Sequence, residues 1–202
     1  MGTAFLLAAV VGSGIMGERL ANGNAGLALL SNSLATGAAL AALILAFGAT
    51  HLNPAVTLSE AWRGAFPWRE VPAYIVAQVI GAFAGVAVAH LMFGHPIFVV
   101  SQHARTGAEQ LFSEFVATFG LILVIRRAAR AQAAAVACYI AAAYWFTAST
   151  SFANPAVTLA RAATDTFTGI RPVDSVGFVV AQLVGAAAAT LLIRWLDRPK
   201  VL

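Results

Sequence analysis

The hexapeptide Asn-Pro-Ala-Val-Thr-Leu stands at residues 53–58 and again, unchanged, at 154–159. Asparagine is a favoured helix N-cap and proline a favoured first helical residue, so Asn53-Pro54-Ala55 and Asn154-Pro155-Ala156 each start a helix. Neither helix can run far as an apolar element. Glu60 and Arg63 interrupt the first, Arg161 and Asp165 the second. The fold must therefore house two short helices with polar starts in a chain that is otherwise apolar.

Those apolar surroundings are a membrane. Of 202 residues 60% are hydrophobic and 10% charged, with mean hydropathy +0.84, whereas a soluble domain is typically ~25% charged. A hydrocarbon core of ~30 Å takes about 20 apolar helical residues, and six stretches qualify, roughly 2–17, 26–47, 71–93, 109–126, 132–149 and 173–195. The first has no basic leader and no A-x-A cleavage site, so a span is the stronger reading than a removable signal peptide. Cys138 reads as a small apolar filler, and no CxxC or HExxH spacing implies a metal or cofactor. Placing both termini in the cytoplasm puts Arg63, Arg69, Arg126, Arg127, Arg130, Arg194, Arg198 and Lys200 inside and Arg19, Arg105 and Arg171 outside. That bias follows the positive-inside rule. The pI near 10.0 is then a matter of topology, and no basic patch interleaved with aromatics suggests nucleic acid. The segment between the third and fourth spans, with His95 and His103, reads as a solvated loop.

The hexapeptide belongs to a longer repeat. Residues 76–82, VAQVIGA, answer residues 180–186, VAQLVGA. The chain reads as one domain, 1–202, made of two halves, about 1–95 and about 107–202. Each half holds three spans, an odd number, so the second enters the membrane from the opposite side and the repeat is inverted. The two short helices then approach one depth from opposite faces. A backbone that stops inside the bilayer is tolerated only where it is buried in protein or lines a wet cavity. Two half-helices meeting amino end to amino end predict a lumen with a positive centre. Asparagine suits that place because its amide oxygen caps the helix while its NH2 remains a donor towards the lumen. Each helix end acts as about half a positive charge, so at ~5 Å and an effective dielectric of ~20 the two repel a cation by about 3 kcal/mol.

With these features the chain resembles the aquaporin family of water and small-solute channels over essentially its whole length. HLNPAVTL at 51–58 matches the family's first re-entrant loop, and FANPAVTL at 152–159 matches the second in part. Most relatives place arginine directly after the second Asn-Pro-Ala, where this chain has Val157. The resemblance implies an all-α membrane fold of six transmembrane helices and two re-entrant half-helices in an inverted repeat. It also implies a homotetramer with one lumen per subunit. The residues themselves offer no Ser-His-Asp arrangement, phosphate-cradling glycine loop or paired carboxylates in the spans, so neither an enzyme nor a cofactor is expected. Its four-residue constriction maps, by ungapped spacing, to Ser33, Ala142, Ser151 and Val157. Small residues there imply a wide opening that admits polyols, urea or metalloid hydroxides. A bacterial branch with valine at this position is associated with arsenic compounds, and the compact loops suit a bacterial inner membrane.

Other residues carry expectations of their own. The resemblance implies that Glu114 holds the re-entrant loop by accepting backbone N–H bonds; proton handling is the alternative reading. Its repeat partner would fall before residue 1, so either the chain starts upstream or the first span is abbreviated. His51 matches a family histidine that lines the pore or anchors the loop. Arg161, four residues beyond Val157, either guards the vestibule or braces its loop through carbonyls or Asp165. Its counterpart Glu60 reads as a solvated residue of the cytoplasmic side. Gln78 and Gln182 read as interhelical hydrogen-bond donors. Two other functions fit such a chain, an alternating-access transporter and a non-conducting structural membrane protein, though a coupled carrier would need more buried carboxylates than Glu114.

Overall fold

A computed structural model describes residues 1–48, 51–128 and 130–198. Lys200, counted above among the cytoplasmic charges, lies outside them. Among the described residues the chain forms α1 (Gly2–Leu20), α2 (Ala25–Phe47), α3 (Pro54–Trp62), α4 (Val71–Phe93), α5 (Ala108–Arg127), α6 (Gln132–Phe146), α7 (Pro155–Arg161) and α8 (Pro172–Leu196), with a 3-10 turn at Trp68–Glu70. Local chemistry sets several boundaries. Asn24 caps α2 by accepting from the Leu27 amide at 3.1 Å, Gly94 closes α4 in the left-handed region, and prolines stand in the first turns of α3, α4, α7 and α8.

Five of the helices are long and apolar enough to cross a membrane: α1, α2, α4 with its leading turn, α5 and α8. The fifth predicted span, 132–149, corrects to a shorter one, because α6 has 15 residues and stops at Phe146. The residues that follow are needed elsewhere. Thr150, Ser151 and Ala153 take positive φ values of 59°, 50° and 48°, a conformation no helix continues. They turn the chain down towards Asn154.

The packing repeats itself under exchange of halves. α1 lies on α4 and α2, while α5 lies on α8 and α6; α3 packs against α8 and α7 against α4. α2 and α6 meet each other. Each half-helix is thus lodged against the last helix of the opposite half as well as its own. The outward faces keep large apolar side chains uncovered, among them Leu45, Phe112, Val173 and Trp195, as expected of surfaces solvated by lipid. Cys138 also lies on such a face, not in the interior. Buried polar residues gather instead around the half-helices: Thr57, Thr158, Gln78, Gln182 and Glu114.

Candidate functional site

Asn53 and Asn154 organise the middle of the molecule. The Asn53 Oδ1 accepts from the Ala55 amide at 2.9 Å, and the Asn154 Oδ1 accepts from Ala156 and Val157 at 3.0 and 3.3 Å. Both oxygens are therefore spent on their own helices, whose first residues, Pro54, Ala55, Pro155 and Ala156, are buried. Each amide nitrogen reaches across to the other half. Asn53 Nδ2 donates to the Ala153 carbonyl at 2.7 Å and Asn154 Nδ2 to the Leu52 carbonyl at 2.9 Å. This corrects the simpler expectation that the NH2 serves the lumen alone: one N–H ties the loops together and one is left over. Aspartate could cap both helices but could not make the tie.

The loops are anchored from behind by unequal means. Glu114, fully buried in α5, accepts from the Phe152 and Ala153 amides, each at 2.8 Å, and from Gln182 Nε2 at 2.6 Å. Gln182 also donates to Thr158 Oγ1 at 2.8 Å. In the first half Gln78 donates to the His51 carbonyl at 2.9 Å and to Thr57 Oγ1 at 3.0 Å. Both glutamines thus fasten half-helices, and Gln182 also joins α8 to α5 through Glu114.

A cavity of about 410 Å³ runs past both asparagines. Its walls are stripes at helical spacing: Leu6 and Val10 on α1, Thr36, Leu40 and Ile44 on α2, Leu121 and Ile125 on α5, and Val136, Ile140 and Tyr144 on α6. The loops supply His51, Ser151, Val157 and Arg161 to the same lining. Two of the four constriction positions mapped by family spacing are corrected. Ser33 lies off the cavity, donating to the Leu30 carbonyl at 2.9 Å and accepting from Trp145 Nε1 at 3.1 Å. Ala142 is exposed on the outward side of α6. The lumen receives Thr36 and Tyr144 instead, their hydroxyls 3.1 Å apart. Thr36 is one turn past Ser33, and two residues past Ala142 a helix presents nearly its opposite side. The i, i+4 stripes through Thr36 and Tyr144 were the available signal.

Arg161 is 2% exposed, lines the cavity and donates its Nε to the Thr168 carbonyl, with its guanidinium carbon 3.4 Å from the Phe152 ring centroid. Asp165 instead accepts from the Gln102 amide. Arg105, read from the sequence only as an outside charge, donates to the carbonyls of Gly169, Ser149 and Phe167 at 2.8, 3.3 and 3.4 Å and stands 5.0 Å from the same ring. Burial pushes the Arg105 guanidinium down to about 10, with Glu114 pulling the other way, so it stays charged at neutral pH. Its loop is therefore more than solvated chain. Val99 and Ser101 donate to the carbonyls of Ala163 and Ala162 at 3.0 Å, and His95 takes a bond from Arg19.

At the other mouth the lining is His51, Glu60, Arg63, Arg126 and Gln132. The His51 ring packs at 5.3 Å on Phe66 and 5.8 Å on Tyr74. Glu60 is not merely solvated: it lies 2.7 Å from Arg63 Nε and 3.9 Å from Arg126 Nη1, with its side chain 13% exposed.

Comparison with known proteins agrees with this architecture. The model of the family described as "Major intrinsic protein" matches residues 1–144. The chain is 52% identical over 206 residues to "Aquaglyceroporin AqpS" of Rhizobium meliloti (strain 1021), covering 98% of this chain and 88% of that protein. It is 45% identical over 98 residues to "Aquaporin NIP1-4" of Oryza sativa subsp. japonica, covering 46% of this chain and 36% of the relative. The solved aquaglyceroporin from Plasmodium falciparum superposes with a TM-score of 0.73 at 20% identity, over 100% of this chain and 93% of that one, a likeness of fold.

Proposed function

Because this chain belongs to the major intrinsic protein family, whose members are passive membrane channels and not enzymes, we propose that water and small uncharged solutes of the glycerol class pass through the lumen between α3 and α7. The observation that carries this reading is the lining at the level of Val157. There the cavity lining carries Thr36, Tyr144, Ser151 and Val157, with Arg161 one turn farther along α7. Two hydroxyls and an unpartnered Ser151 Oγ give a polyol places to exchange hydrogen bonds. Valine gives its carbon backbone an apolar wall. At the midplane the spare N–H of Asn53 and of Asn154 turns the oxygen of each passing molecule the same way, which interrupts a wire of water.

Arg161 takes the charge-guarding role in the outer vestibule, one turn above Val157. Its Nε is committed to Thr168, and among the described residues no carboxylate lies within ion-pair distance of it. A guanidinium so placed opposes cations while offering its outer N–H groups to hydroxyl oxygens. The subunit is an integral multi-pass membrane protein. Its termini lie in the cytoplasm of a bacterial inner membrane, and four copies form the working assembly, each with its own lumen.

Stopped-flow shrinkage of proteoliposomes under glycerol, urea and metalloid-hydroxide gradients tests the proposal. A linear, non-saturating glycerol flux that ignores ion gradients is expected. Flux that saturates and follows an ion gradient would make the chain a carrier, and water passage with every other neutral solute excluded would refute the wide constriction.

A further inference from the structure

We propose that the lumen mouth bounded by Glu60, Arg63 and Arg126 is a binding site for a small oxyanion of the phosphate class, and that its occupant slows solute passage. The inference rests on the channel reading above and concerns a part of the lumen that reading does not use. Two guanidiniums from different elements, one at the C-cap of α3 and one in the last turn of α5, share one carboxylate. Glu60 is divided between them: one oxygen is 2.7 Å from Arg63 Nε and the other 3.9 Å from Arg126 Nη1. The second distance brings the charges together without making a hydrogen bond. Arg126 Nε is buried with no acceptor among the described residues.

The charge and donor counts agree. Two arginines and one glutamate leave one positive charge, and most of the ten guanidinium N–H groups face no acceptor among the described residues. Among the described residues the cavity lining offers no second carboxylate there, and Asp197 is taken by Arg127 at 2.9 Å. His51 and Gln132 add polar atoms to the same lining, while Ile44, Ile125 and Val136 keep its flank apolar. A tetrahedral oxyanion supplies several acceptors at once and can engage two guanidinium forks, which a carboxylate already divided between them cannot. At the opposite mouth Arg161 Nε is spent on the Thr168 carbonyl with its guanidinium over the Phe152 ring, and Arg105 is tied to the carbonyls of Gly169, Ser149 and Phe167. An anion bridging Arg63 and Arg126 stands in the route of anything leaving past His51. Its source is either free phosphate or the headgroup of an anionic lipid.

The full chain in phosphatidylcholine vesicles tests this, with glycerol shrinkage measured in phosphate or chloride at matched ionic strength on both faces. Phosphate is expected to slow glycerol flux roughly threefold, half-maximally at about 1–10 mM. Arg126→Gln is expected to abolish the phosphate effect and Arg126→Lys to restore part of it. Adding phosphatidylglycerol without phosphate separates the sources: slowing relieved by Arg126→Gln assigns the site to the headgroup. In parallel, phosphate should raise the unfolding temperature of the detergent-solubilised wild type and leave Arg126→Gln unmoved. That readout does not depend on conduction, so a silent channel with a phosphate-dependent shift would refute the proposed function and spare this site. Equal flux in all three conditions, with no shift for the wild type, would overturn it.

Discussion

α3 and α7 share their asparagine N-cap and their first five residues, and the two are held in different ways. Each asparagine caps its own helix and ties itself to the opposite loop, at 2.7 and 2.9 Å, so the meeting point is symmetric. Behind it the symmetry ends. The loop before α7 hangs its amides on a buried carboxylate, and its Ser149 carbonyl accepts from Arg105; the loop before α3 is fastened through a neutral amide. The difference matches backbone conformation. Thr150, Ser151 and Ala153 lie in the left-handed region, which costs on the order of 1–3 kcal/mol for each such residue, and the charged acceptor offsets that strain. A shared motif can therefore specify a junction while the surrounding half-repeats anchor it differently, one through a buried charge and the other through a neutral amide.

The largest expected break in this comparison comes from Glu114→Ala. It strands two buried amides and Gln182, and should cost about 3–5 kcal/mol, against about 1–2 kcal/mol for Gln78→Ala. Thermal unfolding of the two purified variants reads the gap directly, and equal losses would dismiss the idea of unequal anchors. Asn53→Asp and Asn154→Asp probe the symmetric part. Both keep the cap and lose the cross-tie, so each should lose about 1–3 kcal/mol, and the two losses should agree within roughly half a kcal/mol.

Two glycines at matching places in the repeat sharpen the contrast further. A Cβ on Gly185 would stand 2.5 Å from the Phe115 carbonyl oxygen, whereas one on Gly81 finds its nearest atom at an ordinary 3.5 Å. Gly185→Ala should therefore cost about 1–3 kcal/mol through overpacking and Gly81→Ala close to nothing, as unfolding midpoints can establish. The smallest effect in free energy falls on selectivity. Val157→Arg returns a cation to the narrow level and should cut glycerol flux about tenfold, roughly 1.4 kcal/mol, while water flow persists. Unchanged glycerol shrinkage in that variant would remove Val157 from the constriction.

Much of the architecture was legible because its signals are local or compositional. The long apolar runs mark the spans, and the Asn-Pro pair marks the start of each half-helix. Glu114 stood out as the carboxylate inside a span. The lumen lining was legible only in part. Ser151 and Val157 lie in the lumen lining beside the asparagine, where counting is short, but Ser33 and Ala142 had to be reached along helices whose register the motif does not set. Two or three residues of error rotate a side chain off the lumen, and Thr36 and Tyr144 occupy those places. Glu60 read as solvated because its second cation, Arg126, arrives from another half of the chain.

The sequence by itself determined that this chain lives in a membrane, that it is built twice, and that two capped helices begin where no full span can. Those properties depend on hydropathy and on neighbours within a few residues. Tertiary structure alone decided which face of each helix meets the lumen, which loop Arg105 secures, and that two arginines converge on one glutamate. Such outcomes depend on helix rotation and on approach between distant segments, and both are set by packing rather than by the order of residues along any one stretch.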